Sequence, residues 1–321
     1  MKRMNNRIWW VLAVSCLLFA SCGGRKTAAP LTRTFPSVQV PQMGSDQDKV
    51  DYAAVHFWDA FMDTTKKFTC DTTLVDGVKR DELETAFGQY ASMLNAVTPS
   101  VSASSVDRMF KMAVKLESKD TSYNVFETLT EMADKYLYDP NSPVRNEEAY
   151  LSFSSDMSKC SFVDSTMRKT YDYSARMCSL NRIGRKATDF CFTGLTGKKM
   201  TLYGIKADIT LLFFSNPGCP ACENITKALI ADKKVNSLIV SGKLAVANVY
   251  IDQELDKWRA FAKNYPSTWL TGYDQNYIIR TDVLYNVRAI PSLYLLDKDK
   301  NVIMKDAPQE NVLSYLDNLP D

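Results

Sequence analysis

Two cysteines three apart, in Cys219-Pro220-Ala221-Cys222, carry the chemistry this chain can do. Thiols at that spacing can supply half of a four-ligand zinc site, close a static disulfide, or cycle between dithiol and disulfide. Zinc would need a second close pair of ligands. The sequence has no other such cysteine pair, and its one histidine, His56, lies far upstream beside Phe57 and Trp58. That neighbourhood makes His56 a packing or surface residue, so no metal and no cofactor is expected.

The flanking residues favour cycling. Ile209 to Ser215 is a run of apolar and β-branched residues, as in a buried central strand. Pro217 and Gly218 suit a tight turn, and the residues after Cys222 read as a helix. Cys219 then stands at a helix N-terminus, where unpaired amides and the helix dipole favour an anion. The thiolate is the nucleophile of disulfide exchange. Pro220 falls in the first turn, where its missing N–H costs nothing. Cys222 lies one turn in, more buried, suited to attack a mixed disulfide formed at Cys219.

The elements that must hold this pair fall into two blocks. Apolar residues recur at helical spacing from Val50 to Phe61, Leu83 to Val97, Val106 to Leu116 and Val125 to Leu137. Pro140 and Pro143 force a turn. Two further helical stretches run over 146–157 and 165–180. Residues 46–181 are thus expected to form an all-helical domain, opened by Ser45 and Asp48 as a capping box. The character changes at Gly184. Strands at 200–203, 209–215, 244–251, 293–296 and 302–304 alternate with helices, the first of which carries Ile225, Leu229, Ile230 and Val235 on one face. That alternation predicts an α/β domain over 184–321, a central mixed sheet flanked by helices. Cys191, between Phe190 and Phe192, reads as a packed thiol. Cys70, Cys160 and Cys178 are either bridged or free and buried.

The 321 residues are 45% apolar and 24% charged, with a net charge of +2 and no basic aromatic cluster, so nucleic acid is not an expected partner. Residues 1–7 hold Lys2, Arg3 and Arg7 without an acid, and Ile8 to Ala20 is almost wholly apolar. That run is too short to span a bilayer and suits a signal-peptide core. The end, Leu18-Phe19-Ala20-Ser21-Cys22, resembles a bacterial lipoprotein signal. The resemblance implies removal of 1–21, lipid on Cys22, and a chain anchored to a membrane of the cell envelope; Gly23-Gly24-Arg25-Lys26-Thr27 lacks the acidic run that resembles a surface-export tag, which favours the periplasmic face. Cleavage leaves 39 less three cations against 37 acids, a net charge of −1. Residues 22–45, with Pro30, Pro36 and Pro41 and no period, read as a flexible tether.

Residues 184–321 resemble a thioredoxin-fold domain of the envelope TlpA/ResA-like branch. The resemblance is carried by the approach Gly184-Arg185-Lys186-Ala187-Thr188-Asp189-Phe190, the CxxC at a strand–helix junction, and Val287-Arg288-Ala289-Ile290-Pro291-Ser292. It implies that Ile290-Pro291 is a cis bond facing Cys219 and that this loop docks substrate. It implies protein disulfides as substrates, an unidentified envelope electron donor, and reduction as the direction. Three positions depart from relatives: Gly218 replaces a tryptophan, and Phe213 and Ile225 stand where branches of the family place buried acids. The proton acceptor for Cys222 is therefore unassigned. A peroxiredoxin, the related alternative, wants a threonine upstream of its cysteine at a spacing that Ser215-Asn216-Pro217-Gly218 lacks. The helical block resembles a Bacteroidetes lipoprotein domain of unknown function, on the stretch Tyr138-Asp139-Pro140-Asn141-Ser142-Pro143-Val144-Arg145-Asn146-Glu147-Glu148. The expected function is an envelope thiol-disulfide oxidoreductase. The competing reading is a non-catalytic lipoprotein whose helical domain binds a partner and whose CxxC is a static disulfide.

Overall fold

The computed structural model describes residues 30–63 and 65–320. The expected signal peptide 1–21, Cys22 with its lipid, and the start of the tether lie outside the described residues. The first block holds six α-helices: α1 (Asp46–His56), α2 (Arg80–Leu94), α3 (Pro99–Lys119), α4 (Val125–Ala133), α5 (Glu147–Met157) and α6 (Ser165–Cys178). Ser45 and Asp48 exchange the two bonds of a capping box at α1. Thr98, Asn146 and Asp164 cap α3, α5 and α6, giving acceptors to amides that a helix start leaves unpaired. α4 runs on into one π-helical turn, Asp134–Tyr138. The apolar faces meet in one core that includes Trp58, Phe61, Phe87, Tyr90 and Phe153.

Two features of this block differ from the sequence expectation. A hairpin of β1 (Leu74–Val75) and β2 (Val78–Lys79) interrupts the helices. Asp76 and Gly77 turn it with φ of 45° and 79°, the two positive values that a tight hairpin turn needs. The described part of the stretch expected as tether is also docked at its start. Leu31 donates its amide to Thr69 Oγ1 at 2.8 Å and Arg33 donates its amide to the Gly77 carbonyl at 2.9 Å. The Arg33 guanidinium pairs with buried Asp76 and donates to the Phe61 carbonyl at 2.6 Å, while the Phe35 ring packs on Phe57, Trp58 and Phe61. A proline-rich, aperiodic segment is bound here by two side chains that periodicity does not weigh.

The second block is one seven-stranded mixed sheet, in the order β4-β3-β7-β6-β5-β8-β9. Its strands are β3 (Cys191–Gly194), β4 (Lys199–Thr201), β5 (Ile209–Phe214), β6 (Leu244–Tyr250), β7 (Leu270–Tyr273), β8 (Ser292–Leu296) and β9 (Val302–Met304). β5, β6 and β7 are parallel, and β8 runs antiparallel to β5. Alternation sorts β5 between two cores. Leu211 and Phe213 face one with Leu229, Val235 and Leu316, and Leu212 and Phe214 face the other with Phe192, Ile279 and Tyr285. Helices α7 (Pro220–Ala231), α8 (Lys233–Val240), α9 (Leu255–Phe261), α10 (Ile278–Thr281) and α11 (Gln309–Asp317) complete the block. The helix expected to run from the cysteines through Val235 is thus two. Asp232 breaks it, ending α7 in an extended conformation and capping α8 by accepting from the Val235 amide at 2.9 Å.

The six described cysteines are free thiols. Cys191 is exposed, not packed: on β3 the side chains alternate, so a buried Phe192 turns Cys191 outward.

A buried ionic cluster joins the blocks. Glu147 and Glu148 open α5, where the amide dipoles favour acids. Glu147 accepts from Arg288 Nε and Asn286 Nδ2, each at 2.9 Å, and meets Lys305 Nζ at 2.8 Å. Lys305 also donates to the carbonyls of Cys178 and Leu180, at 2.7 and 2.5 Å. The Glu147 and Lys305 side chains are 2% and 1% exposed, so both charges are fully withdrawn from water.

Candidate active site

Cys219 is the N-cap residue of α7. Its Sγ accepts from the Cys222 amide at 3.3 Å, and Pro220 takes the first helical position. The turn before it is made by Gly218, at φ 70°, in the left-handed region that side-chain-bearing residues enter at a cost. A tryptophan there would strain the backbone, although the space around a Cβ is open. The Ile290–Pro291 peptide bond is cis, and the Ile290 carbonyl lies 3.9 Å from Cys219 Sγ. Cys219, Cys222, Ile290 and Pro291 are therefore brought together at one end of the sheet, where β5 ends and β8 begins. Cys219 is half-buried and Cys222 is 1% exposed.

Burial pushes the Cys222 thiol up to about 12, and its hydrogen bond with Cys219 adds to the rise. An unfolded cysteine ionises near 8.5, so the folded state holds its proton where the unfolded state releases it. This contribution to the stability of the reduced protein is full below about pH 8.5 and drains as the pH rises toward 12. Between pH 7 and pH 10 the loss from this thiol is about 2 kcal/mol. Urea denaturation of the wild type and of Cys222→Ala checks it: the variant should show a smaller drop over that interval.

No carboxylate lies behind the pair at the two positions where relatives place one. Phe213 is fully buried in the core, and Ile225 is on the buried face of α7. A neutral polar group fills part of that region instead. Asn248 of β6 donates to Ser215 Oγ at 2.7 Å, and Ser215 Oγ lies 3.0 Å from the Tyr265 hydroxyl. Burial raises Tyr265 above its ordinary value, which keeps it a hydroxyl. Tyr265 also lines a cavity of about 250 Å³ with Cys222, Asn216 and Thr226. Sequence reading passed over this group. Its signal was Asn248 within the apolar run Leu244 to Tyr250, where a polar residue in a buried strand needs a partner. Among the described residues no group of three or more His, Cys, Asp or Glu is placed to hold a metal.

The loop carrying Ile290 and Pro291 is fixed on both sides by one acid. Arg288 Nη2 donates to Asp306 Oδ2 at 2.9 Å and Ser292 Oγ donates to Asp306 Oδ1 at 2.7 Å. From the helical block, Arg145 Nε donates to the Asp306 carbonyl at 2.8 Å, and the Arg288 guanidinium sits 4.3 Å above the Tyr138 ring.

Comparison with known proteins follows the same division. Residues 207–302 match the thioredoxin-like family, and residues 20–181 match a domain of unknown function, DUF5106. No curated protein matches the chain. Among solved structures, a thioredoxin-like protein from Bacteroides caccae is 33% identical, with a TM-score of 0.74 over 88% of this chain and 98% of that one. The C-terminal domain of an uncharacterized protein from Bacteroides fragilis is 43% identical, covering 43% of this chain and 99% of its own, with a TM-score of 0.42. The thioredoxin domain of a thiol-disulfide oxidoreductase from Bacteroides vulgatus is 21% identical, covering 42% and 98%, with a TM-score of 0.37. By its length-wide match to the first of these and by the domain it carries at each end, this chain belongs to the thioredoxin-like proteins, as a member with a DUF5106 region ahead of the thioredoxin-like domain.

Proposed function

We propose that this protein is a thiol-disulfide oxidoreductase acting on protein disulfides, as a reductase, from a lipid anchor at Cys22 in the cell envelope. The observation that carries the reading is the placement of Cys219: half-buried, at the first turn of α7, with the Cys222 amide aimed at its sulfur. That amide reaches the sulfur at the helix start, the position from which a nucleophilic thiol in disulfide exchange meets its substrate. Cys219 as thiolate attacks one sulfur of a substrate disulfide. The substrate S–S bond breaks, a Cys219–substrate bond forms, and the released substrate thiolate takes a proton from solvent. Cys222 then gives up its proton and attacks Cys219 Sγ. The mixed disulfide breaks, the second substrate thiolate leaves and is protonated, and the protein ends with a Cys219–Cys222 disulfide. Two electrons have passed to the substrate, and an envelope dithiol donor restores the protein.

Alkylation tests the nucleophile. In the reduced protein at pH 7, iodoacetamide should modify Cys219 first, ahead of exposed Cys191 on β3 and well ahead of buried Cys160, Cys178 and Cys222. Peptide mapping by mass spectrometry reads the order. If Cys191 leads and Cys219 reacts no faster than a free thiol, the pair is a static one and the scaffold reading takes its place.

A further inference from the structure

A cleft of about 380 Å³ opens beside the cysteine pair, and the two blocks share it. That volume lies within the range of sites that enclose a ligand. The near wall is Ala221 and Ile225 of α7 with Ile290 and Pro291. The far wall is the turn between the π-helical segment and α5, through Pro140, Asn141 and Pro143. This wall is not a loose loop. Ser142 Oγ donates to the Tyr136 carbonyl at 2.7 Å, and Arg145 donates to the Ser142 carbonyl at 3.2 Å and to the Asp306 carbonyl at 2.8 Å. Asp306 is the acid that also holds Arg288 and Ser292, the residues flanking Ile290 and Pro291. The two walls are thus fastened to one buried residue, Asp306, the far wall at its carbonyl and the near wall at its carboxylate.

We infer that the helical domain reads the substrate: its 140–143 turn forms the far wall of a groove that takes the extended polypeptide segment flanking the cysteine under attack. This rests on the disulfide-exchange reading above. The occupant follows from where the groove begins. Its inner end is Ile290, whose carbonyl is 3.9 Å from Cys219 Sγ, so what lies in it is continuous with a sulfur bonded to Cys219. A small disulfide reaches that sulfur without filling the cleft, whereas a polypeptide on either side of its cysteine must pass between the walls. The walls are unequal. Pro140 and Pro143 offer no backbone N–H, so the far wall supplies shape, with Asn141 as its exposed amide. Backbone pairing with an extended segment falls to the Ile290 side. Arg145 is paired with Asp306, and exposed Glu310 of α11 is the other charged residue lining the cleft, which suits the groove to an uncharged or basic segment.

The test is the full-length reduced chain in single-turnover reactions with two oxidants: a disulfide-bonded peptide and the small aromatic disulfide 5,5′-dithiobis(2-nitrobenzoate). Asn141→Trp and, separately, Pro143→Trp place bulk in the groove from exposed positions of the turn. Each should raise the half-saturating peptide concentration by at least about fivefold while the rate with the small disulfide stays within about twofold of wild type. The inference is overturned if both variants react with the peptide as the wild type does, or if both lose reaction with the two oxidants equally. A wild-type chain that reduces neither oxidant removes the exchange reading, and the groove with it.

Discussion

Cys219→Ser is expected to reduce disulfide-exchange turnover by about 1,000-fold or more, because no second thiol at the site can take its place. Cys222 is 1% exposed and holds its proton, so it does not meet an incoming disulfide as a thiolate. Cys222→Ser should behave differently. The first attack leaves Cys219 bonded to the substrate, and a serine hydroxyl cannot resolve that bond. Mixed disulfides should therefore accumulate in cells producing Cys222→Ser and be absent with Cys219→Ser, seen as bands on a non-reducing gel that collapse on reduction. Mass spectrometry of those bands would name the substrates. Equal band patterns in both variants would place the reactive thiol elsewhere, with exposed Cys191 the first to examine.

The second large effect is on stability. Glu147→Ala should destabilise the protein by about 3–5 kcal/mol, the scale for leaving a buried charge without its partner. Lys305, 1% exposed, would keep the carbonyls of Cys178 and Leu180 but lose its counter-charge, and Arg288 would keep Asp306 and the Tyr138 ring but lose one of its two acids. Glu147→Gln keeps an acceptor and should lose less. The pair exchanged for methionines, Glu147→Met with Lys305→Met, should recover only part of the loss, since the two carbonyls that Lys305 serves would be orphaned. Urea denaturation followed by tryptophan fluorescence measures all three variants against the wild type. A Glu147→Ala midpoint that matches wild type would show that the cluster opens and hydrates at little cost.

That cluster also marks the limit of what the sequence discloses. The β5 strand, the turn at Gly218 and the helix start at Cys219 are local patterns, and apolar runs and turn residues signal them directly. The capping box at Ser45 is equally local. Charged residues carry no such signal. Glu147, Arg288 and Lys305 would each be assigned to a solvated face, and only the docking of α5 against the 286–306 region shows that they neutralise one another. Arg33 and Asp76 escape for the same reason, being 43 residues apart. The β1–β2 hairpin is a milder case: Asp76-Gly77 between Val75 and Val78 is a recognised turn signal, masked by the helical periodicity on either side of it. The break at Asp232 and the outward side of Cys191 were both readable, the first from a capping residue and the second from strand alternation.

The docked segment at Leu31 to Phe35 has a mechanical consequence. With lipid on Cys22, as proposed, the leash between bilayer and folded protein is not the whole stretch to Ser45. It shortens to the residues between Cys22 and Pro30, a contour of at most about 30 Å. A leash of that length holds the protein within roughly one domain diameter of the headgroups and restricts its tilt. Candidate substrates and electron donors would then be proteins that present their disulfides or dithiols close to the same membrane surface, and lengthening the leash by insertion ahead of Pro30 would widen the set it can reach.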